Sequence, residues 1–230
     1  MLFRSPRIPG AFSSAQVAGW KQIVDRVHAG GAKIFMQLMH CGRIVHPLNL
    51  PAGARVLAPS AVAAAGEMYT DQEGLKPHPV PQAMTDADLR HAIDEFVQGA
   101  KNAIAAGCDG VELHSANGYL LEQFIRPNSN VRTDRYGGGI ENRARFVLET
   151  AEAVIAAIGA DRTGIRLSPF GVFNDMPIYP AMEAEYTYLA GELNKRGLVY
   201  LHLVDHSPMG APAVPDSIKA AMRQIGRAHV

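Results

Sequence analysis

From Ser13 to Ala29 the apolar residues fall at Val17, Trp20, Ile23, Val24 and Val27. That is the spacing of one helical face, and Ser13 or Ser14 is suited to cap it. Gly30-Gly31 ends the helix, and Lys33 to Leu38 follows as a short apolar run that reads as a buried parallel strand. The stretch from His40 to Ala83 is rich in Pro, Gly and Ala and shows neither period. A connection that long carries function or small elements of its own. A second helix is predicted from a Thr85 or Asp86 cap to Ala106, with Leu89, Ile93, Phe96, Val97, Ala100 and Ile104 on one face and Gly107 as its stop. Then come a strand over Asp109 to His114, a short helical segment near Tyr119 to Phe124, and a helix from Glu141 to Ile158. The strand Gly164 to Ser168, a helix from Met182 to Arg196 and the strand Leu198 to Leu203 complete the pattern. Strands alternating with helices imply parallel βαβ units.

Side chains alternate across a strand, so residues of one parity point together. Phe35, Gln37 and Met39 share one face of the first strand, Glu112 and His114 that of the second. Gly164, Arg166 and Ser168 share a face of the third, Tyr200 and His202 of the fourth. A polar group thus recurs near the C-terminal end of all four strands, the end at which (β/α)8 barrels build their active sites. Taken singly, each such residue is equally a half-buried polar group satisfied by its neighbours. Arg166 is harder to dismiss, because a guanidinium keeps its charge on burial and needs an anionic or electron-rich partner, for which Glu112 is the structural candidate.

Composition narrows the class. The chain has 230 residues, 22 Lys+Arg against 22 Asp+Glu, 47% hydrophobic and 19% charged residues. No basic field exists to hold nucleic acid or an anionic membrane, and no apolar run approaches the roughly 18 residues of a membrane span. Two cysteines, Cys41 and Cys108, make no disulfide framework, so a reducing cytoplasm is the expected setting. The ends look foreign. Leu2-Phe3-Arg4-Ser5 can be encoded by CTC TTC CGA TCT, whose reverse complement read in another frame begins Ile-Gly-Arg, the tripeptide at 225–227. Residues 1–5 and 225–230 are therefore expected to be adapter-derived, leaving 6–224 as the domain.

The second strand runs on as His114-Ser115-Ala116-Asn117-Gly118-Tyr119-Leu120-Leu121. An imidazole and an amide there can both donate to one oxygen, with a phenol on the following turn as a proton donor. An Asn-Gly turn followed by a packed aromatic explains the same residues. The stretch from His114 to Phe124, the run Pro127-Asn-Ser-Asn130-Val-Arg132-Thr-Asp134-Arg-Tyr136-Gly137-Gly138, and Glu141-Asn142-Arg143-Ala-Arg145-Phe146 together resemble the old yellow enzyme family. Gln37-Leu38-Met39-His40-Cys41-Gly42-Arg43, Ala58-Pro59-Ser60 and Gly164-Ile-Arg166-Leu-Ser168-Pro169 extend the resemblance from about Pro9 to Leu203.

The resemblance implies an FMN-dependent barrel that takes hydride from NADPH or NADH and passes it to an activated alkene. It implies that Gln37 meets the pyrimidine edge of the flavin and that Arg166 lies by its N1 and O2 region, where a fixed positive charge stabilises the reduced ring. It further implies that His114 and Asn117 bind the substrate oxygen, that Tyr119 supplies the proton, and that Met39 shapes the pocket where many members carry Trp. Gly139 stands where Ser is common. Counted by resemblance the strands are the third to sixth of eight, so a partial TIM barrel, an open half-barrel without the phosphate-binding strands, is expected, and an incomplete, inactive piece with it. The runner-up, a metal-dependent barrel hydrolase or aldolase using His40, His114, His202 and His206, has no HExxH or paired-Cys spacing behind it.

Overall fold

A computed structural model describes residues 8–223, so the expectations for residues 1–5 and 225–230 lie outside the described residues. The elements run α1 (Ser14–Ala29), β1 (Phe35–Leu38), β2 (Leu57–Ala58), β3 (Glu67–Thr70), β4 (Gly74–Pro77), β5 (Gln82–Ala83), α2 (Asp86–Ala105) and β6 (Gly110–Ser115). They continue as α3 (Leu120–Ile125), α4 (Ile140–Ile158), β7 (Thr163–Leu167), α5 (Met182–Lys195), β8 (Tyr200–Leu203) and α6 (Asp216–Met222). The predicted helix starts hold because their caps are chemical. Ser13 with Gln16, and Thr85 with Asp88, form reciprocal capping boxes that satisfy amides the first turn leaves free.

The central sheet is parallel, in the order β1-β6-β7-β8. Met36, Leu38, Val111, Leu113, Ile165 and Leu167 alternate on one face and are buried beneath α2 and α4, whose Leu89, Phe96, Phe146, Val147 and Val154 complete the core. The opposite face carries Gln37, Glu112, His114, Arg166, Tyr200 and His202. Register sets Gln37 beside Glu112, Glu112 beside Gly164, Gly164 beside Tyr200, and His114 beside Arg166, which is beside His202. At the foot of that face the Phe35 and Tyr200 rings meet edge-on at 5.4 Å, although two strands separate them. They reach each other over Gly110 and Gly164, where a Cβ would collide with the Phe35 and the Tyr200 ring respectively. An aromatic floor thus lies under two polar layers.

The long segment after β1 does carry small elements. β2 pairs in parallel with β5, and β3 with β4 as an antiparallel hairpin. Two expectations change. The predicted stripe of α1 is only partly covered: Val24 is fully buried, Val17, Trp20 and Val27 are half-buried and Ile23 is 48% exposed, α2 being the described element that α1 chiefly packs against. α6 was not foreseen, being seven residues behind Pro215 with no long period; Ile218 and Met222 bury it against α5.

The close approach at Gly110 yields a test. Gly110→Ala would drive a methyl into the Phe35 ring and the Arg162 carbonyl, so it should lower stability by about 1–3 kcal/mol, as overpacking does. Urea denaturation of the variant beside the parent chain measures it.

Candidate active site

The site begins where β6 ends. Asn117 and Gly118 adopt left-handed backbone, with φ of 57° and 76°. Asn tolerates that region and Gly enters it freely. Gly118 has a second reason to be Gly, since a Cβ there would lie 2.7 Å from the Asn174 Cβ. Each exposed donor of the turn is then met. The Asn117 amide donates to Ser168 Oγ at 2.8 Å, the Gly118 amide to Glu122 Oε2 at 2.7 Å, and Asn174 Nδ2 donates to the Asn117 carbonyl at 2.6 Å. Ser168 Oγ in turn donates to Glu122 Oε2 at 3.1 Å. The other oxygen of Glu122 accepts from Arg126 Nη2 and from the Tyr186 hydroxyl, both at 2.7 Å, and the Glu122–Arg126 pair is almost wholly buried.

Tyr119 follows as the residue before α3. Its ring is 5% exposed, packed among Ile44, Val45, Val56, Ala64 and Met68, with Met39 beside them, and 5.1 Å from the His114 ring. The loop after β1 is fastened to this turn by Gln123, whose amide donates to the Cys41 and Gly118 carbonyls at 3.0 and 2.7 Å and accepts from the Arg43 amide at 3.0 Å. Gly42, at φ 59°, leaves the space that Gln123 fills. Arg43, 1% exposed, donates to the Asp175 carbonyl and carboxylate at 2.9 and 3.2 Å, joining the loops that follow β1 and β7.

Burial, reinforced by the Arg166 charge, lowers the His114 pKa to about 4, so the ring is neutral near pH 7. Its Nδ1 is buried with no hydrogen-bond partner. A neutral ring has one N–H and one bare nitrogen, so Nδ1 is an unanswered donor or acceptor whichever of the two it is. Arg166 Nε and Asn117 Oδ1 are likewise buried without a partner. The suggested Arg166–Glu112 pair does not form. Glu112 is engaged by Gln37, whose Nε2 donates to Oε1 at 2.6 Å, and by His202 Nδ1 at 3.0 Å from Oε2. The expectation fails because Gln37 lies level with Glu112 in register, whereas Arg166 lies a layer higher, level with His114.

The chain therefore brings His114, Asn117, Tyr119 and Met39 together at the C-terminal ends of β1 and β6, with Arg166 and Gln37 on the same face. Sequence reasoning passed over Glu122, Gln123 and Arg126, the residues that hold the turn. The signal in the sequence was only the four-residue spacing of Glu122, in α3, and Arg126, its C-cap; that both are buried shows in the structure alone. Among the described residues no three His, Cys, Asp or Glu side chains gather as metal ligands, and nothing favours the hydrolase or aldolase alternative. No described helix is long and apolar enough to cross a membrane.

Comparison with known proteins places the chain in a family. Residues 4–224 match the model of the NADH:flavin oxidoreductase / NADH oxidase family, and the chain belongs to that family. It is 40% identical over 224 residues to chanoclavine-I aldehyde reductase of Penicillium roqueforti, covering 96% of this chain and 58% of that protein. It is 41% identical over 205 residues to 12-oxophytodienoate reductase 1 of Oryza sativa subsp. japonica, covering 87% and 51% respectively. Among solved structures, morphinone reductase superposes with a TM-score of 0.88 at 41% identity, over 96% of this chain and 60% of the other. The old yellow enzyme homologue from Zymomonas mobilis does so with a TM-score of 0.88 at 36% identity, over 95% and 62%. The chain thus spans somewhat more than half the length of the relatives it matches.

Two buried histidines set a pH window. Burial also lowers the His40 pKa to about 4, as it does for His114, against an ordinary 6.5. Between those values the unfolded chain binds protons that the folded chain refuses. Stability is therefore full above about pH 6.5 and falls as pH drops toward 4, by on the order of 3 kcal/mol per histidine across the window. Urea midpoints should decrease from pH 7 to pH 5, and equal midpoints would contradict the burial of both rings.

Proposed function

We propose that the chain is the flavin- and substrate-binding portion of an FMN-dependent ene-reductase, with β1, β6, β7 and β8 as the third to sixth strands of an eight-stranded barrel. The observation that carries this is the set of buried, unpartnered atoms, Arg166 Nε, His114 Nδ1 and Asn117 Oδ1, gathered on one face beside Tyr119. Nature rarely leaves such groups unsatisfied, and a planar ligand rich in oxygen and nitrogen answers them. FMN fits that donor set: Gln37 and Arg166 would hold its pyrimidine side, and bound FMN would carry two electrons from NADPH or NADH to the substrate.

The substrate proposed is an activated alkene, an enone or enal. The relatives' names support this class, since chanoclavine-I aldehyde, 12-oxophytodienoate and morphinone are all carbonyl compounds. His114, kept neutral, would give a ring N–H and Asn117 its side-chain amide to the carbonyl oxygen, drawing charge from the double bond. Neutrality matters, because a protonated imidazole beside Arg166 would add a second positive charge to one buried corner. The Tyr119 hydroxyl would deliver the proton to the α-carbon, completing addition of hydride and proton across the double bond. Met39, unbranched and pliable, would border the pocket and set its shape. The free Cys41 and Cys108 suit a cytoplasmic setting.

In a complete FMN-loaded barrel carrying this segment, Tyr119→Phe should slow alkene reduction by about 10²–10⁴-fold while flavin reduction by nicotinamide stays near its original rate. Stopped-flow separation of the two half-reactions is the test. Equal slowing of both would remove Tyr119 from the proton-donor role.

A further inference from the structure

Below the His114–Arg166 layer, one carboxylate organises the inner face. Glu112 Oε1 accepts from Gln37 Nε2 at 2.6 Å and Oε2 meets His202 Nδ1 at 3.0 Å. The Tyr200 phenol faces the same carboxylate, and burial with that negative neighbour raises its pKa. Tyr200 belongs to β8 and Glu112 to β6, so the phenol must cross β7; it does so over Gly164, where a Cβ would occupy the space of the Tyr200 ring. Three side chains from two strands, Gln37 of β1 and Tyr200 and His202 of β8, thus face the one carboxylate that β6 supplies.

The chemistry of this arrangement is asymmetric. An amide can turn either end toward a partner, but a carboxylate only accepts, so Glu112 obliges Gln37 to direct its NH2 inward. The carbonyl oxygen of Gln37 then becomes the atom offered above the sheet. The same logic gives His202 a proton on Nδ1 and leaves Nε2 as its outward acceptor. The inner face would otherwise present an amide free to donate or accept; with Glu112 beneath, it presents acceptors.

We propose that Glu112 is a positioning residue for flavin recognition, committing Gln37 Oε1 to accept from the N3–H group of the isoalloxazine ring. This rests on the flavin reading above and deepens it. Glu112 itself need not touch the flavin. Its function is to remove the alternative orientation of Gln37, so that a ring with an N–H at that position is preferred over one without.

The test takes a complete barrel carrying this segment, stripped of its flavin, and titrates it and its Glu112→Gln and Glu112→Asp variants with FMN and with N3-methyl-FMN, following fluorescence, alongside thermal unfolding of each. The unsubstituted barrel should bind FMN about tenfold more tightly than the N3-methyl derivative, the value of one well-placed hydrogen bond. In Glu112→Gln, which can itself donate and so lets Gln37 turn over, that ratio should fall to about threefold or less. Glu112→Asp withdraws the carboxylate by one methylene and should lower the ratio in the same way, which keeps the test decisive if the Gln variant does not fold. A purely structural role would weaken both flavins together. An unchanged ratio in a folded variant would overturn the proposal and leave flavin binding intact as a reading. Failure of the unsubstituted complete barrel to bind either flavin would instead sink the flavin reading, and this proposal with it.

Discussion

The Glu122 carboxylate is the constraint on which the site depends. It lies in the interior and accepts from the Gly118 amide, Ser168 Oγ, Arg126 and Tyr186. Ionised groups are expensive to bury, and a pair this enclosed is tolerated only when each lone pair is used. Here the surplus lone pairs hold backbone. The left-handed turn at Asn117-Gly118 has few attractions of its own, yet Glu122 and Ser168 receive its two amides and thereby fix where Asn117 and Tyr119 stand. Removing one member would strand a buried charge, a loss of about 3–5 kcal/mol, so the network also rigidifies the turn against the sheet.

The sheet solves a related problem in layers. Parallel strands carry no hairpins to vary their spacing, so register fixes which side chains stand level. Gly110 and Gly164 give up side chains so that Phe35 and Tyr200 can meet beneath. Beside that ring contact stand Glu112 and its partners Gln37 and His202, both of the latter exposed. Over these lies the His114–Arg166 layer, where burial keeps the imidazole neutral beside a guanidinium that cannot lose its proton. The polarity gradient runs from aromatic floor to charged rim along a few residues of strand.

Much of this was legible in the sequence, and the reasons differ by element. Helices α2 and α4 were readable because period and cap coincide, and the four sheet strands because each is a short apolar run between breakers. The shared face of Gln37, Glu112, His114 and Arg166 follows from parity alone. What parity cannot supply is height: Arg166 and Glu112 share a face yet lie in different layers, so the pairing suggested between them gave way to Gln37 and His202. The α1 stripe is covered only in part, Ile23 lying exposed, because periodicity reports which residues could be covered whereas coverage needs neighbouring elements. Glu122 and Arg126 escaped notice as surface-like residues in a short helix; their burial depends on α5 and the loop after β7, distant in sequence.

The central claim is that Glu122 holds the Asn117-Gly118 turn in place, and amide hydrogen exchange with and without Glu122→Gln tests it most directly. The account predicts that in the parent chain the Asn117 and Gly118 amides exchange about as slowly as those of Val111 and Leu113 in β6. In the variant the turn amides should exchange at least about tenfold faster through local opening, while the strand amides lose far less protection. Protection of the turn that is unchanged in the variant, or that falls only in step with the strand, would contradict it.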